Sequence, residues 1–560
     1  MDVRDNEQIV LGPWTGLDEV GRGPQSIVRC LNIDVDEKGR IRRRPGRALL
    51  ATLNADVPVS GIFQHVGLDG SRVLLVGHTY ADPAYGAPKI GTVNESTLAF
   101  SELAVASAAL AAAPERGFGF VAFKGRTMIV DPFARTLDFD GDVVRVLPAA
   151  QGLDRVNGLV GARAYLSAPP KSRYPLVWRN RLVAMDGRTI GLSATSGDIN
   201  VPATSLAGAA EVWPSRTNLD VLTRDGDEIV GGAVRDDELL VLTRRGLGVV
   251  TEDDVYPTLR LRKGSGCIAP GSIQEVSYQG ASWVFYLSDG KVCSWNGAGV
   301  EDISRLPNAN ISSTLDTVNW QGASRAVSVH YAKRNEYRLW LPVHGGLANR
   351  VCLIFNYVRR TWRVYAGYYP WDTSARQAAA EPFDVTAAAV VLSPAGEEIL
   401  LTGDSSGRLW REDVGEDDAG TIFPAFALFP AIGSGGREFT FRDWRVEAVH
   451  DGSYVEGMAI VNGVPLEHEL DRIKNGDATS SERKLVRAIQ SQQAAYEDAP
   501  AYPVDVHAER TDKLRLSFAA RGYRMQPYLS LPGRGPAVED PSPGGVRLIE
   551  IGDRKREGGR

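Results

Sequence analysis

Gly403-Asp-Ser-Ser-Gly407 has the G-x-S-x-G spacing of a serine hydrolase. That chemistry needs a strained strand-to-helix turn that lifts the serine oxygen clear of the backbone. Here the flanks, Ile399-Leu-Leu-Thr402 and Arg408-Leu-Trp410, are both strand-like, so Ser405 reads as a hairpin-turn residue. Asp34-Val-Asp36 hints at a calcium loop, but the next alternate position is Lys38, a cation where an oxygen ligand is required. His468-Glu469 has no second histidine one turn on, so the zinc-protease spacing fails. The seven histidines are dispersed, and Cys30, Cys267, Cys293 and Cys352 show no C-x-x-C spacing, which points to buried free thiols. The sequence leads us to expect no catalytic residue, no metal and no cofactor.

One cluster remains. Lys38, Arg40, Arg42, Arg43, Arg44 and Arg47 fall within ten residues. On a strand, Arg42 and Arg44 would face one way and Arg43 the other. Such a patch can contact phosphates, or its guanidinium forks can pair with carboxylates of a neighbouring subunit. A solvated charged hairpin is the bland alternative. With 69 acidic residues and a net charge of −6, protein–protein contact is the favoured reading. Charges this dense look too crowded to be paired within one subunit, which places them at an assembly contact.

The elements that carry these residues recur. A β-rich run, a short turn with Gly or Asp, and a second β-rich run appear in Arg179–Ser193, Asp237–Thr251, Ser282–Trp295 and Glu398–Trp410. Fuller copies add a run on each side, at a spacing of about 35–60 residues, the size of a four-stranded propeller blade. The 59 glycines and 31 prolines are spread along all 560 residues, as many short strands and tight turns require. The expected fold is therefore all-β: a β-propeller of about seven blades, with six to eight possible. Blades should begin near Gly61, Gly117, Tyr174, Ile229, Ser272, Ala326 and Val385. The expected divisions are an N-terminal arm and Arg-rich hairpin over 1–55, the propeller over 56–450, and a small, mainly β region over 451–560. That last region should hold one helix near 479–490 and a disordered, charged end. No apolar run approaches the ~20 residues of a membrane helix, and the polar N-terminus does not read as a secretory signal.

Leu31-Asn-Ile-Asp-Val-Asp-Glu-Lys-Gly-Arg-Ile-Arg-Arg-Arg-Pro-Gly46, with Gly12-Pro-Trp-Thr-Gly-Leu17 before it, resembles the opening segment of tail proteins from short-tailed bacteriophages and related prophages. These are the nozzle, tail tubular protein B, or tail hub (stabilisation) proteins. Gly264–Gly271, Tyr286–Gly290, Phe355–Tyr357 and Thr361-Trp362 fit as well, so the likeness runs from about residue 12 to 450. It implies a propeller set in a sixfold ring that conducts or gates double-stranded DNA during ejection, without sequence-specific binding. The implied partners are other copies of the chain, tail adaptor or tube proteins and tail fibres. The implied location is the virion tail, after synthesis in the bacterial cytoplasm. Trp14, Arg40, Arg42, Arg43, Arg44 and Arg47 are the expected subunit-interface residues.

The competing function is a carbohydrate-binding or carbohydrate-cleaving propeller used in host attachment. A glycosidase needs two facing carboxylates, and no blade repeats an acid at a matching inward position. Ser288–Trp295 is only loosely like the Asp-box of sialidase propellers, occurring once and at the wrong spacing. A lectin should repeat an aromatic pocket, yet Trp178, Trp283, Trp340 and Trp410 fall at different blade positions. An intracellular scaffold propeller is disfavoured because Trp371-Asp372 lacks the Gly-His partner of WD repeats.

Overall fold

In the computed structural model, the described residues are 14–20, 25–53, 57–78, 89–94, 99–103, 117–130, 136–146, 172, 174–193, 219–221, 226–252, 257–262, 264–367, 384–415, 417–421 and 423–430. Beyond these, it gives the backbone of strands 8–9, 105–106, 166–167, 213–214, 439–449, 456–461, 464–465, 511–522, 525–530 and 545–553. Helix among them is confined to Ser312–Leu315 and three short 3-10 turns. None is long and apolar enough to cross a membrane.

Turn chemistry sets the hairpins. At Lys124-Gly125, Arg179-Asn180 and Gln279-Gly280 both central residues have positive φ. That is the type I′ geometry whose twist matches the flanking strands. The strands they join are often apolar at consecutive positions rather than alternating. Glu238-Leu-Leu-Val-Leu-Thr243 shows why: Leu240 and Leu242 pack towards one neighbouring blade, Leu239 and Val241 towards the other. A strand covered on both faces needs no polar side.

Seven blades of four antiparallel strands follow, and Val105–Ala106 adds a parallel strand to the second. Their first strands are Val59–Val66, Gly119–Phe123, Leu176–Trp178, Ile229–Arg235, Gln274–Tyr278, Val327–Tyr331 and Ala387–Leu392. Each lies within two residues of its expected start. Each first strand neighbours the next, and Ala387–Leu392 returns to Val59–Val66, so the ring is closed. Seven hydrophobic clusters fill the seven joints between adjacent blades. The chain is a seven-bladed β-propeller.

Innermost strands leave backbone groups unpaired along the axis, and side chains reach across to satisfy some of them. Gln64 donates to Leu392 O at 2.8 Å and accepts from Leu392 N at 2.8 Å, joining the first blade to the seventh. Gln274 donates to Ser328 O at 3.0 Å, joining the fifth to the sixth.

Two expected boundaries move. Arg47–Thr52, placed in the arm by the sequence, is the fourth strand of the seventh blade, paired with Arg408–Glu412. The N-terminal side therefore closes the ring. Phe439–Val449, placed in the propeller, pairs instead with Thr511–Gly522 and Gly545–Asp553 of the C-terminal region. The last propeller strand ends at Glu412. The C-terminal strands are β as expected, while the helix expected near 479–490 lies outside the described residues.

The arm adds more. Gly16–Leu17 extends the sixth blade beside Thr361–Ala366, and Ser26–Ile27 extends it once further. Arg29–Leu31 pairs with Phe426–Leu428, which in turn pairs with Met525–Ser530. Trp14, Leu17, Ile27, Leu31, Ile33 and Ile41 all enter the cluster between the fifth and sixth blades. All four cysteines are buried and free. Burial pushes the Cys30 and Cys267 thiols up to about 12 and Cys293 up to about 11, values that leave them unreactive near neutral pH.

Candidate functional site: the arginine hairpin

Ile33–Val35 and Ile41–Arg43 form the expected hairpin. Its turn is closed by Asp36, whose Oδ1 accepts the Lys38 and Arg40 backbone N–H groups at 2.9 and 2.8 Å. Asp36 Oδ2 accepts Arg40 Nε at 2.6 Å. Burial alone would raise this carboxyl, but those N–H groups and the guanidinium outweigh it and hold it below the usual range. The same device recurs at Asp404-Ser-Ser-Gly-Arg408. Asp404 Oδ1 accepts the Ser406 and Arg408 N–H groups at 2.9 Å each, and Oδ2 accepts Arg408 Nε at 2.7 Å. Gly39 and Gly407 supply the positive φ, 73° and 74°, that both turns require. Arg40 is thus a turn-closing residue.

Ser405 sits within the second of these turns, between two strands, as its flanks imply. Its recorded partner is the Asp384 carboxylate. Ser405→Ala should leave thermal stability nearly unchanged and alter no esterase or glycosidase activity; loss of such an activity on this one change would make the serine a nucleophile after all.

The remaining arginines are paired inside the chain. Arg42 Nη2 and Nε donate to Asp34 Oδ2 at 2.7 and 3.0 Å. Arg44 forks onto Asp418, Nη1 to Oδ1 at 3.0 Å and Nη2 to Oδ2 at 2.6 Å, and its Nε donates to Asn32 Oδ1 at 2.9 Å. Arg43 Nη2 donates to Phe423 O at 2.7 Å. The Phe423 ring carries both Arg43 and Arg44, at 4.0 and 3.6 Å. Arg47 lies over Trp410 at 4.2 Å, and Trp14 packs on Phe429 at 4.3 Å.

The expectation that these charges need another subunit is corrected here. Trp14, Arg44 and Arg47 are 2%, 2% and 1% exposed in the single chain, so a neighbour cannot reach them. Arg40, Arg42 and Arg43 keep partial exposure. The density is tolerated because Asp36 and Asp34 on the hairpin itself take Arg40 and Arg42, while Asp418, distant in sequence, takes Arg44. Asp34 is bound by Arg42, Arg334 and Arg363, so it is no calcium ligand either. His468 and the Trp371-Asp372 pair lie outside the described residues.

Asp34 opens into a larger array. Glu336 receives Arg338 Nε at 2.8 Å, Arg363 Nη2 at 2.5 Å and Arg334 Nε at 3.0 Å. Asp413 receives Arg338 Nη2 at 2.6 Å and Arg334 Nη1 at 3.2 Å. Three carboxylates and four guanidinium groups thereby fasten the hairpin to the sixth blade and to the segment leaving the seventh. Burial would raise Asp413, but Arg338 and Arg334 outweigh it and hold the carboxyl far below its usual range. Burial would likewise lower Arg334 and Arg338; the facing Glu336 and Asp413 carboxylates reverse this and raise both. Sequence reasoning missed this array, although Glu336, Arg338 and Arg363, charges set singly within apolar strand runs, were its visible signal. It also missed Asn32, at φ 54°, which donates to Ala366 O and Pro424 O at 2.6 and 2.7 Å while its oxygen accepts Arg44 Nε and Ala366 N.

These shifts fix a pH dependence. A carboxyl held low in the folded state stabilises it above its unfolded value, and that contribution is lost as pH falls towards the folded value. His65, His78 and His330 are lowered by burial, so unfolding takes up protons below about pH 6.5. The histidines should therefore lower the melting temperature below about pH 6.5, and the low-held carboxyls should lower it below about pH 4, against a gain from Glu19, Glu275, Asp384 and Glu412, whose carboxyls burial raises. Asp413→Asn should start lower and lose part of the decline below about pH 4; an unchanged acid profile in that variant would contradict the role given to Asp413.

The sequence matches no protein-family model and no curated protein. Among solved structures it is similar to the AfRom2 CNH domain, covering 66% of this chain and 99% of that one at 10% identity and a TM-score of 0.33. It is also similar to the N-terminal domain of Nup159, covering 66% and 95% at 9% identity and a TM-score of 0.31. The propeller assignment rests on the closed strand order rather than on these likenesses.

Proposed function

We propose that the chain is a structural protein of a short bacteriophage tail, one subunit of a ring at the nozzle or hub that conducts or gates DNA. The observation that carries this reading is the position of Leu31–Gly46, the segment that resembles the tail family. It lies where the propeller, its closing strand and the C-terminal strands meet. The same residues that carry the likeness therefore organise the whole body. A propeller whose blades pack face to face, locked by a buried ion array, deforms little and suits a fixed ring. Passing DNA calls for a wall without a dense phosphate-gripping patch, and Arg40, Arg42 and Arg44 of the hairpin are committed to carboxylates within the chain. The reading includes no catalytic step. Electron microscopy of the purified protein tests it: rings with a central hole are expected, and isolated propellers at every concentration would overturn it.

A further inference from the structure

Four of the chain's exposed large apolar side chains gather on one rim. Val66 and Leu68 stand 48% and 75% exposed at the first hairpin of the first blade, with Leu392 of the seventh and Val143 of the second at 37% and 38%. Their hairpins touch. Gln64 bonds Leu392 in both directions, Arg72 donates to Ser393 O, and a Cβ placed at Gly125 of the second blade would lie 2.4 Å from Leu68 Cγ. The turn carrying Val143 lies over His65, next to Val66 in sequence, since a Cβ at Gly141 would lie 3.5 Å from His65 Nε2. Exposed Asp69, Asp142 and Glu397 edge this strip. An apolar centre with an acidic border fits a partner that offers an apolar residue flanked by cations.

The chain itself offers that partner. On the fourth blade's outermost strand, Leu261 is 52% exposed between exposed Arg260 and Arg262. Exposed Arg244 and Arg245 sit in the turn beside it. None of these four guanidinium groups makes an ion pair among the described residues, unlike the arginines of the hairpin and the sixth blade. The fourth blade is three blades from both the first and the seventh, so the two surfaces lie on opposite sides of the propeller. They also occupy opposite faces, because one is built on the hairpins between first and second strands and the other beside a hairpin between second and third.

We infer that the acidic-rimmed apolar strip on the seventh, first and second blades is the docking surface for the Leu261 edge of a second copy of this chain. Two different surfaces on opposite sides make a head-to-tail contact, the kind that closes a ring when its rotation permits. The inference rests on the ring reading and names the surfaces that build it.

Sedimentation velocity on the full chain tests it. Arg260→Glu with Arg262→Glu, and separately Asp142→Arg with Glu397→Arg, should each weaken self-association about tenfold or more while circular dichroism and melting temperature stay as in the wild type. Wild-type association should also weaken with added salt. An equimolar mixture of the two variants should assemble again, because each then presents an acidic surface to a basic one at every contact. Wild-type assembly in either variant, or no recovery on mixing, overturns these surfaces and leaves the ring. A wild-type chain that never associates overturns both. Loss of binding to a duplex DNA fragment in the arginine variant, with assembly intact, would assign the arginines to phosphate instead.

Discussion

Deleting residues 1–52 is expected to abolish the folded propeller rather than leave a trimmed one. The deletion takes the fourth strand of the seventh blade and so bares the edge of Arg408–Glu412. It also takes Trp14, Leu17, Ile27, Leu31, Ile33 and Ile41 from the joint between the fifth and sixth blades, each 2% exposed or less. Each such side chain contributes about 1.5–3 kcal/mol by burial. Together they rival the 5–15 kcal/mol that typically separates folded from unfolded chains. The cut further strands Arg334 and Arg363 without Asp34. The full chain should show a single cooperative melt by circular dichroism, and the truncated chain none, with rapid digestion by trypsin. A truncated chain that melts cooperatively near the wild-type temperature would show that the seven blades close without the arm.

This dependence was not visible in the sequence, and the reason is physical. Blade hairpins are local: Asp186-Gly187 or Asp289-Gly290 between two apolar runs announces the turn and both strands within about fifteen residues. Ring closure is not local. Arg47-Ala-Leu-Leu-Ala-Thr52 has the composition of any short strand, and nothing near it says that its partner is Arg408–Glu412. The hairpin arginines mislead in the same way. Arg44 finds Asp418 at a sequence distance of 374 residues, so in linear order it looks unpaired. Arg40 and Arg42 find Asp36 and Asp34 within the hairpin, whereas the partner of Arg44 depends on a fold that brings both ends of the propeller to one place. The Ser405 motif went the other way, since its strand flanks were local and sufficient.

Removing the Asp34 carboxylate should be the most costly single substitution at the hairpin. Asp34 is 1% exposed and holds Arg42, Arg334 and Arg363 at once. Asp34→Ala leaves those guanidinium groups facing each other with less compensation. Breaking a buried pair from one side costs about 3–5 kcal/mol, because the orphaned charge keeps its desolvation penalty. The internal control is Glu301→Ala, which breaks a pair with Arg360 whose side chains are 44% and 52% exposed. Exposed pairs of this kind contribute at most about 1 kcal/mol. Urea unfolding should therefore separate the two variants by a clear shift in midpoint. Adding Arg363→Met to Asp34→Ala should recover part of the loss, since the second change removes one of the guanidinium groups left in excess over the carboxylates and the two residues touch. If Asp34→Ala costs no more than Glu301→Ala, the array is a bystander and the arm is held by its apolar contacts alone. If the double variant is as unstable as the sum of the single ones, Asp34 and Arg363 act independently. Either result would break the link drawn here between the dense arginines of the hairpin and the closure of the propeller.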